Sequence, residues 1–232
     1  MAYSLDRQGK PDKARKYYEK TLELDPENLE ALINLGKVLG ELERYDDALK
    51  YLIYATRIYP DVPEAWINLG AVYDSINNLG EASMCYEKAI ELDPSNPELW
   101  HNKGLVFKRL NMLKDAICCY DESLRLSTTN VGAWCDKAFA HMDLQEYPEA
   151  ERCYGEILKI DPNNVDALNG RGCVLVSMAN FEKAITFFDM ALKIEPKNIR
   201  ILLNKAFALE GLGDTENAQQ FYDAASKASS SH

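Results

Sequence analysis

Basic charge is scarce in this chain of 232 residues: 26 Lys and Arg stand against 37 Asp and Glu, a net charge of −11. Nucleic-acid binders present a basic stripe to the phosphate backbone, so this balance excludes that class of partner and mildly favours basic ones. Histidine is scarcer still, with three residues, His101, His141 and His232. Six cysteines occur (Cys85, Cys118, Cys119, Cys135, Cys153 and Cys173), but no C-x-x-C pair, which removes the common spacing of zinc and redox sites. The apolar runs fall far short of the roughly 20 residues that a membrane span needs, and no charged-then-apolar leader is read at the start. Free thiols in a reducing, cytoplasmic setting are therefore expected. Phosphate-cradling glycine loops, metal-ligand spacings and G-x-S-x-G turns are also missing. We expect no enzyme activity, no catalytic residue, no metal and no cofactor.

What the chain does have is a period. Ala14, Ala48, Ala82, Ala116, Ala150, Ala184 and Ala218 follow one another at intervals of 34 residues. A small residue held to one phase over the whole length means that one supersecondary unit is stacked repeatedly, as in a solenoid. The stretch from Pro60 to Pro94 shows the unit most clearly. Pro60-Asp61-Val62-Pro63 forms a turn whose second proline suits the first turn of a helix. Trp66, Leu69, Gly70 and Tyr73 then share one helical face, Asn77-Asn78 breaks it, and Ala82, Tyr86 and Ala89 mark a second helix. Gly70 and Ala82 allow close backbone approach, while Trp66 and Tyr86 fill the space between units. The proline column (Pro26, Pro60, Pro94, Pro162, Pro196) stops each second helix; Thr128 interrupts it, within Ser127-Thr128-Thr129-Asn130, still a turn with a capping residue.

These residues resemble the tetratricopeptide repeat family: Trp66, Leu69-Gly70, Tyr73, Ala82, Tyr86, Ala89 and Pro94 match its pattern at every marked column. The resemblance covers nearly the whole chain. Departures are mild, with Ala138 and Ala206 for the glycine, Leu168 and Leu202 for the tryptophan, and His141 for the tyrosine. It implies an all-α fold, a right-handed superhelical solenoid of antiparallel helix pairs. We expect a truncated first repeat over residues 1–28, six repeats in one continuous array over 29–228, and a disordered tail at 229–232. The repeats are placed near Leu29, Pro63, Pro97, Val131, Val165 and Ile199. No polar capping helix is read after Tyr222, Ala224 and Ala225. Two explanations stay open: the chain is part of a longer protein, or its uncovered ends pair with a second copy to form a homo-oligomer.

The resemblance further implies that the stripe of each first helix opposite the core lines a concave groove for partner peptides. Two patterns lie on that stripe. Asn34, Asn68, Asn102 and Asn204 share a column that Asp136 and Gly170 interrupt; an amide offers both donor and acceptor and suits the backbone of an extended peptide, unless asparagine is simply common there. A second column drifts from polar to apolar: Lys37, Ala71, Leu105, Phe139, Cys173 and Phe207. It suggests anchor pockets, unless these side chains pack against neighbouring helices. We take Asn34, Lys37, Asn68, Asn102, Leu105, Arg109, Phe139, Asn204 and Phe207 as the candidate peptide-binding set. Lys103, Lys137, Arg171 and Lys205 form a basic column, either a rail for an acidic partner or side chains snorkelling over the core. The Lys-then-Asn pairing that clamps acidic chaperone tails is absent from every first helix. The function expected is a scaffold that binds a partner protein or extended peptide, with neither nucleic acid nor membrane. The alternatives are the substrate-docking arm of a larger enzyme such as a glycosyltransferase, or a self-associating scaffold.

Overall fold

A computed structural model describes residues 11–229. Among them thirteen helices follow one another and no strand occurs: α1 Pro11–Leu24, α2 Leu29–Glu41, α3 Tyr45–Ile58, α4 Pro63–Ser75, α5 Leu79–Leu92, α6 Pro97–Arg109, α7 Leu113–Leu126, α8 Val131–Asp143, α9 Tyr147–Ile160, α10 Val165–Ser177, α11 Phe181–Ile194, α12 Ile199–Gly211 and α13 Thr215–Ser229. The chain divides into two compact units, Met1–Leu126 and Ser127–His232. In the first, α1 precedes the hairpins α2/α3, α4/α5 and α6/α7; in the second, α8/α9, α10/α11 and α12/α13 pair in the same way. The solenoid reading and the all-α class hold. The expected tail at 229–232 begins inside a helix, since α13 includes Ser229, and its remainder lies outside the described residues. So does the start of the expected truncated repeat, residues 1–10.

Local chemistry explains where the first helix of each hairpin begins. Asn28, Asn96, Asn130, Asn164 and Asn198 precede first helices, and the side-chain oxygen of each accepts a backbone N–H of the first turn, at 2.9 to 3.3 Å. Such a cap satisfies one of the donors a helix start leaves unpaired. Val62 holds this place before α4, where Pro63 needs no donor partner at all.

The turn inside each hairpin uses a left-handed residue. Glu43, Asn77, Asn111, Gln145, Ala179 and Gly213 all have positive φ, between 54 and 79°. In the first of them, Glu43 N–H donates to the Gly40 carbonyl and Arg44 N–H to that of Leu39, the paired bonds that close a helix C-terminus before a sharp turn. Only Gly213 takes this conformation without a steric penalty on Cβ. Ala179, with neither a side-chain amide nor a glycine's freedom, is strained there by about 1–2 kcal/mol. Ala179→Gly is expected to stabilise the protein by about 1 kcal/mol after the added chain entropy of glycine is subtracted; urea unfolding followed by helical circular dichroism measures it.

The alanine column is buried throughout, every member at 0 or 1% exposure. The glycines of the first helices explain why: a Cβ on Gly36 would collide with Leu52, on Gly104 with Tyr120, and on Gly172 with Phe188. Each large side chain of a second helix thus seats in the gap its own hairpin leaves. Such a seat makes interior packing sensitive to a single methylene.

Candidate functional site

In the first unit the stripe opposite the core lies on α2, α4 and α6. Asn34, Asn68 and Asn102 stand half-buried along it, with Ala71 and Lys37 exposed and Leu105 half-buried. Lys37 pairs with Glu41 one turn on, at 3.5 Å. Arg109 is committed elsewhere: its guanidinium meets the Asp74 carboxylate, donates to the Asp74 carbonyl at 3.0 Å and reaches Asn77 Oδ1 at 2.9 Å. It therefore ties α6 to α4 across one repeat.

In the second unit the stripe lies on α8, α10 and α12. Phe139 is 51% exposed and Phe207 57%, so for these two rings packing against neighbouring helices does not remove them from solvent. Phe139 also meets Tyr154 edge to face, with centroids 6.4 Å apart. Tyr154 itself is buried, and its ring lies where a Cβ on Gly170 would come within 2.5 Å. This is the physical reason the asparagine column breaks at Gly170: a side chain there would displace the tyrosine. Burial pushes the Tyr154 phenol well above its ordinary range, so it stays protonated.

One candidate has partners that the linear pattern did not show. Asn204 Nδ2 donates to Asn169 Oδ1 at 2.9 Å and approaches Cys173 Sγ at 3.3 Å. Asn169 is buried, and Arg200 and Asp166 pair beside it. Asn169 lies 35 residues before Asn204 rather than 34, and a column read at one fixed phase passes over it.

The basic column snorkels. Lys103 pairs with Glu87 at 3.6 Å, Arg171 with Glu151 at 3.0 Å and Lys205 with Asp189 at 2.5 Å, each on the preceding second helix. The cations also lie over aromatic faces, Arg171 over Phe187 at 4.6 Å and Lys205 over Phe221 at 3.9 Å. Lys103, Arg171 and Lys205, paired from within, make no continuous rail.

With this geometry in view, the comparisons decide the family. Tetratricopeptide repeat models match residues 1–63, 63–96, 85–117, 131–164, 165–198 and 199–232. The chain belongs to the tetratricopeptide repeat family. No curated protein matches it. Among solved structures, a tetratricopeptide repeat protein from Parabacteroides merdae is similar at TM-score 0.71 and 17% identity, over 97% of this chain and 90% of that one. YrrB, described as a TPR protein with an unusual peptide-binding site, is similar at 0.67 and 23%, over 80% and 95%. MamA is similar at 0.66 and 23%, over 72% and 91%. At these identities the likeness establishes the tetratricopeptide fold.

Five of the six thiols are wholly or partly buried. Burial pushes the Cys85 thiol up to about 12 and those of Cys119 and Cys135 up to about 11, and it raises Cys173 as well. A raised thiol is neutral at pH 8 and yields thiolate only as pH climbs toward these values. Alkylation with iodoacetamide at pH 8 is thus expected to label exposed Cys118 first, with Cys85, Cys119, Cys135 and Cys173 labelled slowly and faster above pH 10. Peptide mass spectrometry at a series of pH values reads the order. His141 is buried in the core, with its Nδ1 2.7 Å from a Glu146 carboxylate oxygen that closes the end of α8. His101 lies against Tyr120, rings 5.7 Å apart. Among the described residues, no group of three or more His, Cys, Asp or Glu could hold a metal ion, and no helix is long and apolar enough to cross a membrane.

Proposed function

We propose that this tetratricopeptide protein is a non-catalytic scaffold that receives an extended segment of a partner protein on the stripes of its first helices. In the first unit Asn34, Asn68 and Asn102 pair with the partner's backbone, and Leu105 adds an apolar contact. In the second unit Phe139 and Phe207 anchor apolar side chains, and the Asn204 amide, set by Asn169, presents its remaining oxygen. The observation that carries the reading is the exposure of Phe139 and Phe207, 51 and 57%, three residues on from the asparagine column along the same stripe. Large apolar rings left open at matched repeat positions suit the anchor residues of an interface. The net charge of −11 favours a protein over a nucleic acid.

The test begins with peptides selected on the whole chain from a random display library, followed by affinity measurements on variants. Asn68→Ala is expected to weaken all selected peptides by about fivefold to tenfold, because a backbone contact is indifferent to sequence. Phe139→Ala is expected to weaken only those with an apolar residue in the matching register. Unchanged affinity for both variants overturns the assignment.

A further inference from the structure

Three hairpins carry a tryptophan that reaches back to the turn before its helix. Trp66 Nε1 donates to the Pro60 carbonyl at 2.9 Å, Trp100 to Pro94 at 3.2 Å and Trp134 to Thr128 at 3.0 Å. In each, the half-buried indole closes the seam between the turn and its own hairpin. Leu32 holds this column in α2. It has no N–H to offer the Pro26 carbonyl, the counterpart of those three acceptors.

A cleft of about 700 Å³ opens over this place, lined by Leu22, Pro26, Tyr51 and Tyr54, with Leu32 buried at its base. The matching cleft beside Trp134 is smaller, about 450 Å³, and is walled by Arg152 and Glu156 in place of Lys50 and Tyr54. Leu22, Leu32, Tyr51 and Tyr54 pack as one apolar cluster, so the floor exists before anything binds. Leu168 and Leu202 also lack the indole, but Met190 and Ala224 stand where Tyr54 does. The missing indole and a pair of tyrosines therefore coincide at Leu32 alone. Along the edge, Glu19 of α1 pairs with Arg15 at 2.5 Å and Lys50 with Asp47 at 3.1 Å, which leaves the Glu23 carboxylate to face an incoming cation.

We propose that this cleft receives a tryptophan side chain, with a basic residue beside it, presented by a partner protein. The indole occupies the seat that Trp66, Trp100 and Trp134 fill from within, stacks against Tyr51 and Tyr54, and donates its N–H to the Pro26 carbonyl. The Glu23 carboxylate favours the neighbouring cation. No residue of the stripes described above lines this cleft, so the proposal stands apart from the scaffold reading.

The probe is acetyl-Lys-Trp-amide, titrated into the whole chain while backbone amide shifts are followed. Saturable shifts at Leu22, Leu32, Tyr51 and Tyr54 are expected, with a Kd on the order of 1 mM for a ligand of this size. The 1-methyltryptophan analogue, which lacks the donor, is expected to bind about fivefold more weakly. Leu32→Trp fills the seat internally and is expected to abolish the shifts. Tyr54→Lys, which installs the residue found at Lys88 one repeat on, is expected to weaken binding at least about tenfold and carries the test should Leu32→Trp not fold. Absence of saturable shifts at these residues overturns the proposal. So does equal binding by the methylated probe, by folded Leu32→Trp or by Tyr54→Lys.

Discussion

Phe188→Ala is expected to cost about 3–5 kcal/mol of stability, the range for deleting a fully buried aromatic side chain. Phe188 is 0% exposed and packs in one cluster with Leu168, Leu175, Ala184, Ala191, Ile201 and Ala208. Its ring occupies the space that Gly172 leaves by having no Cβ. Backbone cannot collapse into that gap without unseating α10 from α11. The cavity term therefore adds to the lost transfer energy rather than relaxing away. In a solenoid, stability is a sum of each repeat and its nearest neighbours, so the loss falls on α10 to α12 first. Guanidinium unfolding by circular dichroism, together with amide exchange in α10 to α12, measures it. A cost below about 1 kcal/mol would mean that the ring is not seated as described.

The opposite outcome is expected for two phenylalanines of the same unit. Phe139→Ala combined with Phe207→Ala is expected to change stability by no more than about 0.5 kcal/mol, as for exposed positions in general. Each change is expected to remove about 2 kcal/mol of partner binding if the rings are anchors. That is a loss of roughly thirtyfold per ring, compounding in the double variant. Titration calorimetry with a selected peptide reads the affinity, and thermal unfolding reads the stability. A double variant that binds as the parent does removes the second unit from the binding surface. A large fall in thermal midpoint would instead return both rings to the core. The pairing with Phe188 is informative because residue type is held constant while burial alone differs.

That difference in burial is partly visible in the linear pattern. Phe139 and Phe207 share a phase with Lys37 and Ala71, whereas Phe188 shares one with Tyr86, Tyr120 and Tyr154. Phase suffices here because every helix presents the same face to its neighbours. The left-handed residue of each hairpin was harder to see. Asn77, Asn111 and Gly213 suit positive φ, but Glu43, Gln145 and Ala179 occupy the same column without any such preference, because the turn's geometry is imposed by the packed helices on either side. The bond from Asn204 to Asn169 was not legible at all. It depends on which rotamer each amide adopts above Cys173, and the 34-residue period carries no rotamer. Arg109 is a similar case: read as a groove residue, it is drawn to Asp74 and Asn77 because a carboxylate on α4 and an amide oxygen in the turn after it lie within its reach.

The amino-acid order alone determined that this protein is a stack of helical hairpins, since an alanine column at a single 34-residue spacing marks the buried face of each second helix and a proline column marks the exposed turn that ends it. It also determined which helical face meets the neighbours. The tertiary structure decided the rest: that Tyr154 turns across Gly170, that Lys103, Arg171 and Lys205 pair with carboxylates of the preceding helix, and that a cleft lies over Leu32 between Leu22, Tyr51 and Tyr54. Each of these depends on which of several reachable partners a long side chain takes, and that choice is settled by packing in three dimensions rather than by period.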